Sequence, residues 1–404
     1  MADVPNTFSS PSNLFSITDD APEINSANIN VFIAPHHSPS VAKELIETAQ
    51  ALVNPRGRGI YATDESPDVI EAAFVAAGQA QSSSEEDMLQ RRKAWREAVY
   101  SAVPKEHISG VIVYSETLLE FKLGPILSKN GIIIGVRANG ELAPLPASPF
   151  EFIVQGLDDL LAKLQAARAA GARFSKWRVP IACTSDALGL PTQTALDLQA
   201  DTLAIYASIS QQAGLVPIVE PDVEFSADAD LARSVEVHQK AIRLIFDRCA
   251  SHGVLLEGTL IKPSYPQPGL KHPSRDKTTS QDIALATATV ISNSVPSAVA
   301  GVVFLSGTVI RFSLPLLDSS SSVGTNSGGL PTPVALNHLS SLNKLVNSSP
   351  PTSPFSRLPP LSFSYGRALQ GDAIRHWVQG DPGAMKQSLE RAAQGCLRAA
   401  KGDL

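Results

Sequence analysis

The chain has 404 residues, 43% hydrophobic and 18% charged, with a formal net charge of −6. This is enough apolar material for one large α/β domain or two ordinary ones, and its lysines and arginines are scattered, which argues against nucleic acid as a partner. The three cysteines, Cys183, Cys249 and Cys396, are far apart and in no metal-binding spacing, which fits a reducing compartment and a chemistry without metal or other cofactor.

The first forty residues are rich in Ser, Pro and Asn and carry Asp3, Asp19, Asp20 and Glu23. They have no charged start followed by an apolar core, and are too acidic for a mitochondrial presequence. No stretch approaches membrane-spanning length. Residues 1–40 are therefore expected to be a loose arm, and residues 41–404 a single domain of a cytoplasmic protein that binds no membrane.

Eight short apolar segments follow, at 59–64, 110–115, 132–137, 174–179, 215–221, 254–262, 301–307 and 361–367. Most are continuously apolar, as in parallel strands covered on both faces. Helical patterns lie between most of them. Residues 85–103 look helical and charged. Leu196, Ala200, Leu203 and Ala207 fall on one helix face; Leu231, Val235, Ile242, Ile245 and Cys249 fall on another. Eight strand–helix alternations predict an α/β fold, the (β/α)8 TIM barrel. Residues 308–326 break the pattern. They separate Ser306-Gly307 from Ser327-Gly328-Gly329 and are expected to be an insertion that does not pack into the barrel. Residues 334–346 read as a helix and 347–360 as a loop.

Active sites of such barrels stand at the carboxyl ends of the strands. The polar residues gather there: Asp64-Glu65-Ser66, Arg137, Lys176, Arg178, Glu220, Asp222, Lys262, Ser306-Gly307 and Gly366-Arg367. Lys262 ends a strand that reads as buried. A lysine in that position can lose its proton near neutral pH and attack a carbonyl as a free amine. The protonated imine then accepts the electron pair of a breaking C–C bond. Lys176 and Arg178 would favour the neutral amine by like-charge repulsion. Glu220 is the natural proton shuttle for imine formation, and Asp64 the base for a hydroxyl two carbons away. Glu220 and Asp222 would also compensate Lys176 and Arg178. Ser306, Gly307, Gly366 and Arg367 suit a phosphate dianion, with Arg92, Arg137 and Ser66 available for a second phosphate. His238, on an apolar helix face, reads as a core or interface histidine. His36 and His37 have no expected catalytic role, and no zinc spacing occurs among the histidines.

These segments resemble class I fructose-bisphosphate aldolases. The resemblance rests on Leu256-Glu257-Gly258-Thr259-Leu260-Ile261-Lys262-Pro263, Thr63-Asp64-Glu65-Ser66, Lys176-Trp177-Arg178, Val216-Pro217-Ile218-Val219-Glu220-Pro221, Phe304-Leu305-Ser306-Gly307 and Phe363-Ser364-Tyr365-Gly366-Arg367-Ala368-Leu369. It runs in order from about Val41 to Lys401. It implies a metal-independent barrel, usually a homotetramer, acting in glycolysis and gluconeogenesis. Such an enzyme cleaves fructose 1,6-bisphosphate reversibly to dihydroxyacetone phosphate and glyceraldehyde 3-phosphate. By the resemblance, Lys262 is the imine lysine, Glu220 the proton donor and acceptor, Asp64 the acid/base carboxylate and Lys176 the substrate-contacting lysine, with Arg178 beside it. Ser306, Gly307, Gly366 and Arg367 match the C1-phosphate site, and Arg92 the basic residue near the C6 phosphate.

Departures from the family pattern suggest alternatives. Arg137 replaces a lysine, Asp222 a glutamate, and Pro67-Asp68 a Thr-Gly-Ser after Ser66. An imine lyase preferring a sugar monophosphate is one alternative. A catalytically impaired homologue acting as a binding protein is the other, and Ser327 is a rival to Ser306. The chain stops at Leu404 without the tyrosine tail of vertebrate and plant members, from which slower proton exchange at the triose is expected.

Overall fold

The computed structural model describes residues 36–146, 148–306 and 330–404. Gly307, Ser327 and the expected insertion at 308–326 lie outside the described residues, as does most of the expected arm. The described residues form ten strands: β1 (Gly59–Thr63), β2 (Ile108–Val113), β3 (Ile133–Arg137), β4 (Leu142–Leu145), β5 (Ser148–Val154), β6 (Phe174–Ile181), β7 (Val216–Val223), β8 (Leu260–Ile261), β9 (Gly301–Phe304) and β10 (Leu361–Tyr365). Eight of them close a parallel barrel in the order β1-β10-β9-β8-β7-β6-β3-β2. This is the (β/α)8 TIM barrel that the alternation predicts.

The helices are α1 (Pro39–Val53), α2 (Pro67–Ala76), α3 (Glu85–Ser101), α4 (Gly124–Lys129), α5 (Leu160–Ala169), α6 (Gln193–Gln212), α7 (Leu231–Ser251), α8 (Ser280–Ser294), α9 (Thr332–Ser348), α10 (Arg367–Val378) and α11 (Pro382–Lys401). No helix of the described residues is long and apolar enough to cross a membrane.

The barrel interior is filled by Ile60, Ala62, Ile112, Phe174, Val216, Ile218, Leu260 and Val303, packed with Ala42, Leu45, Ala49, Leu52 and Val53 of α1. Helix α1 therefore plugs the amino-terminal end. Leu52 accepts a 2.6 Å hydrogen bond from Ser109 at the start of β2. A Cβ on Gly301, the first residue of β9, would meet Val53 at 2.7 Å, so glycine is required there. Residues 38–40, which composition assigns to the arm, are the cap and start of this helix. Ser38 caps it, and His37 Nε2 lies 3.2 Å from Gln211 Oε1.

Strand side chains alternate with period two. Asp64, Lys176, Glu220 and Lys262 each stand two residues beyond an interior residue: Ala62, Phe174, Ile218 and Leu260. The alternation thus aims all four into the open, carboxyl end of the barrel. The intervening residues face the helices, as Trp177 does, its ring 5.4 Å from Tyr206 of α6.

Two elements differ from expectation. The apolar run 254–262 is not one strand: only Leu260–Ile261 pairs, and Leu256–Gly258 is a 3-10 turn. This run is apolar because it covers α1, with Gly258 against Leu45. Gln211 bonds both the amide and the carbonyl of Leu255 and so holds the turn. The interval after β3 also holds the antiparallel hairpin β4–β5, two strands beyond the eight read from the sequence.

Candidate active site

Four of the expected residues meet directly. Lys176 Nζ lies 2.7 Å from Asp64 Oδ2 and 3.4 Å from Glu220 Oε2. Lys262 Nζ lies 3.3 Å from that same Glu220 oxygen. Lys262 and Glu220 are each 4% exposed, and Lys176 5%. Adjacent strands make basic and acidic side chains alternate: Lys262 directly follows β8, β7 carries Glu220 and β6 Lys176, while Asp64 reaches across from the end of β1. Buried charges require such partners.

Burial alone would raise the Asp64 carboxyl, but Lys176, Lys262 and Arg137 outweigh it and hold it at about 2. Asp64 is thus ionised, the form that a general base requires. Arg178 Nε and Nη2 both lie 2.8 Å from Asp222 Oδ2. Its guanidinium is engaged by Asp222, in line with the charge-compensating role expected of that carboxylate. It is Lys176 that shares a carboxylate with the imine candidate.

The expected phosphate ligands are more dispersed. Arg137 pairs in register with Lys176. Its Nε donates to the Asn139 carbonyl at 3.2 Å, and its guanidinium lies 5.6 Å over the Tyr114 ring. Arg92 is held by Glu116, at 2.7 and 3.2 Å, and lies 3.8 Å from Glu71. Ser66 is the N-cap of α2 but makes no side-chain cap bond. Ser306 follows β9, and its carbonyl accepts from the Leu330 amide at 2.8 Å. Gly366 caps α10, where a Cβ would meet the Ala62 carbonyl at 2.8 Å. Arg367 is the first residue of α10 and is exposed. The described residues thus assemble Lys262, Glu220, Lys176 and Asp64, place Arg137 and Arg178 beside them, and commit Arg92 to carboxylates.

The sequence profile of class I fructose-bisphosphate aldolases matches residues 44–313. Fructose-bisphosphate aldolase B of Gallus gallus is 36% identical over 85% of this chain and 85% of its own length. The chain belongs to the class I fructose-bisphosphate aldolase family. The fructose-bisphosphate aldolase of Drosophila melanogaster is 34% identical, over 91% of this chain and 90% of its own. A solved Plasmodium falciparum fructose-bisphosphate aldolase, crystallised with TRAP and a small-molecule inhibitor, superposes with a TM-score of 0.77. It is 32% identical, over 91% of this chain and 96% of that one.

Two residues of this aldolase, named within the sequence motifs but given no role of their own there, stand out in the structure. Ser364 pairs in register with the interior residue Ile60, so it faces the barrel axis. Its Oγ is buried and meets no hydrogen-bond partner among the described residues. Counting back two from Gly366 along β10 is the signal that finds it. Glu65 turns away from the axis and receives Arg96 at 3.0 Å and the Gln370 amide. It ties the end of β1, and so Asp64, to α3 and α10. No local pattern reveals this, because its partners come from distant helices.

Proposed function

We propose that the chain cleaves fructose 1,6-bisphosphate reversibly to dihydroxyacetone phosphate and glyceraldehyde 3-phosphate through an imine on Lys262. The contact between buried Lys262 and Glu220 carries this reading. The Lys262 amine adds to the C2 carbonyl, and Glu220 delivers the proton that lets water leave. Asp64 takes the C4 hydroxyl proton. The C3–C4 bond breaks, its electron pair moves into the iminium to give an enamine, and the aldehyde departs. Reprotonation of the enamine and hydrolysis release the ketose phosphate and restore the amine. Lys176, between Asp64 and Glu220, holds both carboxylates in place and contacts the substrate.

The C1 phosphate is assigned to Ser306, Gly307, Gly366 and Arg367, to which Ser364 is added for its unpartnered hydroxyl. The amide groups at the start of α10 and the Arg367 guanidinium favour a dianion. Arg92, Arg137 and Ser66 are assigned to the far phosphate, with Arg178 nearer the imine. The homotetramer, the cytosolic compartment and the glycolytic and gluconeogenic role follow from family habit. Light scattering on the purified protein tests the assembly.

A second reading has one observation in its favour. The hold of Glu116 and Glu71 on Arg92 weakens the far phosphate site, which favours a sugar monophosphate. A coupled assay comparing fructose 1,6-bisphosphate with fructose 1-phosphate separates the two. A higher kcat/KM for the bisphosphate supports the first reading; a higher value for the monophosphate replaces it with the second.

A further inference from the structure

Strand β8 is only two residues long, and the ladder to β7 closes with the Lys262 amide bonded to the Val219 carbonyl at 2.8 Å. The next residue, Pro263, has no N–H to extend it. The carboxyl side of Lys262 therefore needs another tether to β7. Ser264 supplies it: its hydroxyl lies 2.9 Å from the Val223 carbonyl. On β7 the two bonds fall either side of Glu220, at Val219 and Val223; on the facing segment they are made by Lys262 itself and by Ser264.

Ser264 is in turn held from behind by His238 of α7, whose ring is 1% exposed. Nε2 lies 3.0 Å from Ser264 Oγ, and Nδ1 lies 2.7 Å from the Ser234 carbonyl. That carbonyl only accepts, so Nδ1 carries the ring proton and Nε2 is the acceptor in the neutral ring. The Ser264 hydroxyl proton thus serves two acceptors, Nε2 and the Val223 oxygen. Burial drives the imidazole down to about 4, against the two hydrogen bonds that raise it, so the ring is neutral at working pH. Ser234 adds a second hold on the same loop by accepting from the Gln267 amide at 3.1 Å.

We infer that His238 is a positioning residue for the imine lysine: acting through Ser264, it fixes the segment after Lys262 against β7 and so sets the spacing between Lys262 and Glu220. The inference rests on the reading of Lys262 as the imine lysine. His238 itself touches neither substrate nor reacting atoms. Its effect belongs to the proton transfers of imine formation, which depend steeply on geometry, and not to substrate affinity.

The test compares the wild type with His238→Phe, Ser264→Ala, their double variant and His238→Gln, each checked for a cooperative thermal transition. Measured are kcat and KM for fructose 1,6-bisphosphate, and the rate at which borohydride traps dihydroxyacetone phosphate on Lys262. Each single variant is expected to lose roughly tenfold in kcat and in trapping rate with KM unchanged. The double variant should lose no more than either single, and His238→Gln should recover most of the loss. Full kcat in Ser264→Ala, losses that multiply in the double variant, or a loss confined to KM would overturn the positioning role. Should His238→Phe not fold, Ser264→Ala and His238→Gln decide by the same criteria. A wild-type protein that is not trapped at Lys262 would remove the imine reading itself, and the positioning role with it. Trapping of the wild type together with unaltered variants removes the positioning role alone.

Discussion

Lys262 Nζ and Glu220 Oε2 lie 3.3 Å apart, both on side chains that the barrel mouth buries. The same oxygen is 3.4 Å from Lys176. Replacing Glu220 by Gln keeps the volume but removes the proton carrier. We predict a fall in kcat of ~10²-fold or more, within the range of general acid–base catalysis. The loss should appear equally in the rate of imine trapping, because the missing proton is the one that expels water.

Asp64 is assigned a later step, so its variant should behave differently. Asp64→Asn is predicted to lower fructose 1,6-bisphosphate cleavage by ~10²–10⁴-fold while leaving borohydride trapping of dihydroxyacetone phosphate at Lys262 within a few-fold of wild type. Equal loss in both measurements would contradict the assignment.

Asp64 also links stability to pH. Its folded-state value is about 2, below the ordinary 3.8, because Lys176, Lys262 and Arg137 outweigh burial. An acid with a depressed folded-state value stabilises the fold above its unfolded value and loses that contribution as pH falls. The shift corresponds to about 2 kcal/mol. Denaturant unfolding of wild type and Asp64→Asn should therefore differ by a constant amount above about pH 5. That difference should shrink between pH 4 and pH 2.

Glu224 should show the opposite sign. It is buried just beyond β7, and burial and then Asp222 push its carboxyl well above the usual range, against Arg178 and the Ser226 side chain. A carboxyl whose folded-state value is raised penalises folding at every pH above its unfolded value. Glu224→Gln is predicted to raise the melting temperature at pH 7 and to lose that advantage below about pH 4.5. Melting curves at pH 4 and pH 7 test both limbs.

Ser364 separates binding from stability. Its hydroxyl has no partner among the described residues, so Ser364→Ala should leave the melting temperature nearly unchanged. If the hydroxyl serves a phosphate, its removal deletes a hydrogen bond to a charged group, worth about 1.5–3 kcal/mol. KM should then rise by roughly ten- to a hundredfold. An unaltered KM would take Ser364 out of the phosphate site.

The barrel was legible in the sequence because parallel strands buried on both faces are continuous apolar runs, and the four meeting side chains because each ends such a run. Where apolar character had another cause, the reading failed. Residues 254–259 are apolar to cover α1, and nothing local distinguishes that from a strand. The hairpin β4–β5 contains Pro144 and Pro149, which hide its strands. Helix α1 begins inside a Ser- and Pro-rich stretch, so composition masks its cap. The engagement of Arg92 by Glu116, 24 residues away, is a tertiary contact that no spacing rule reports.

The most direct test of the central claim is borohydride reduction of the protein with dihydroxyacetone phosphate, in the presence of EDTA, followed by peptide mass spectrometry. The account predicts one covalent adduct, on the peptide containing Lys262, undiminished by the chelator and absent from Lys262→Met. An adduct on another lysine, or none in a folded protein that still cleaves the sugar, would contradict it.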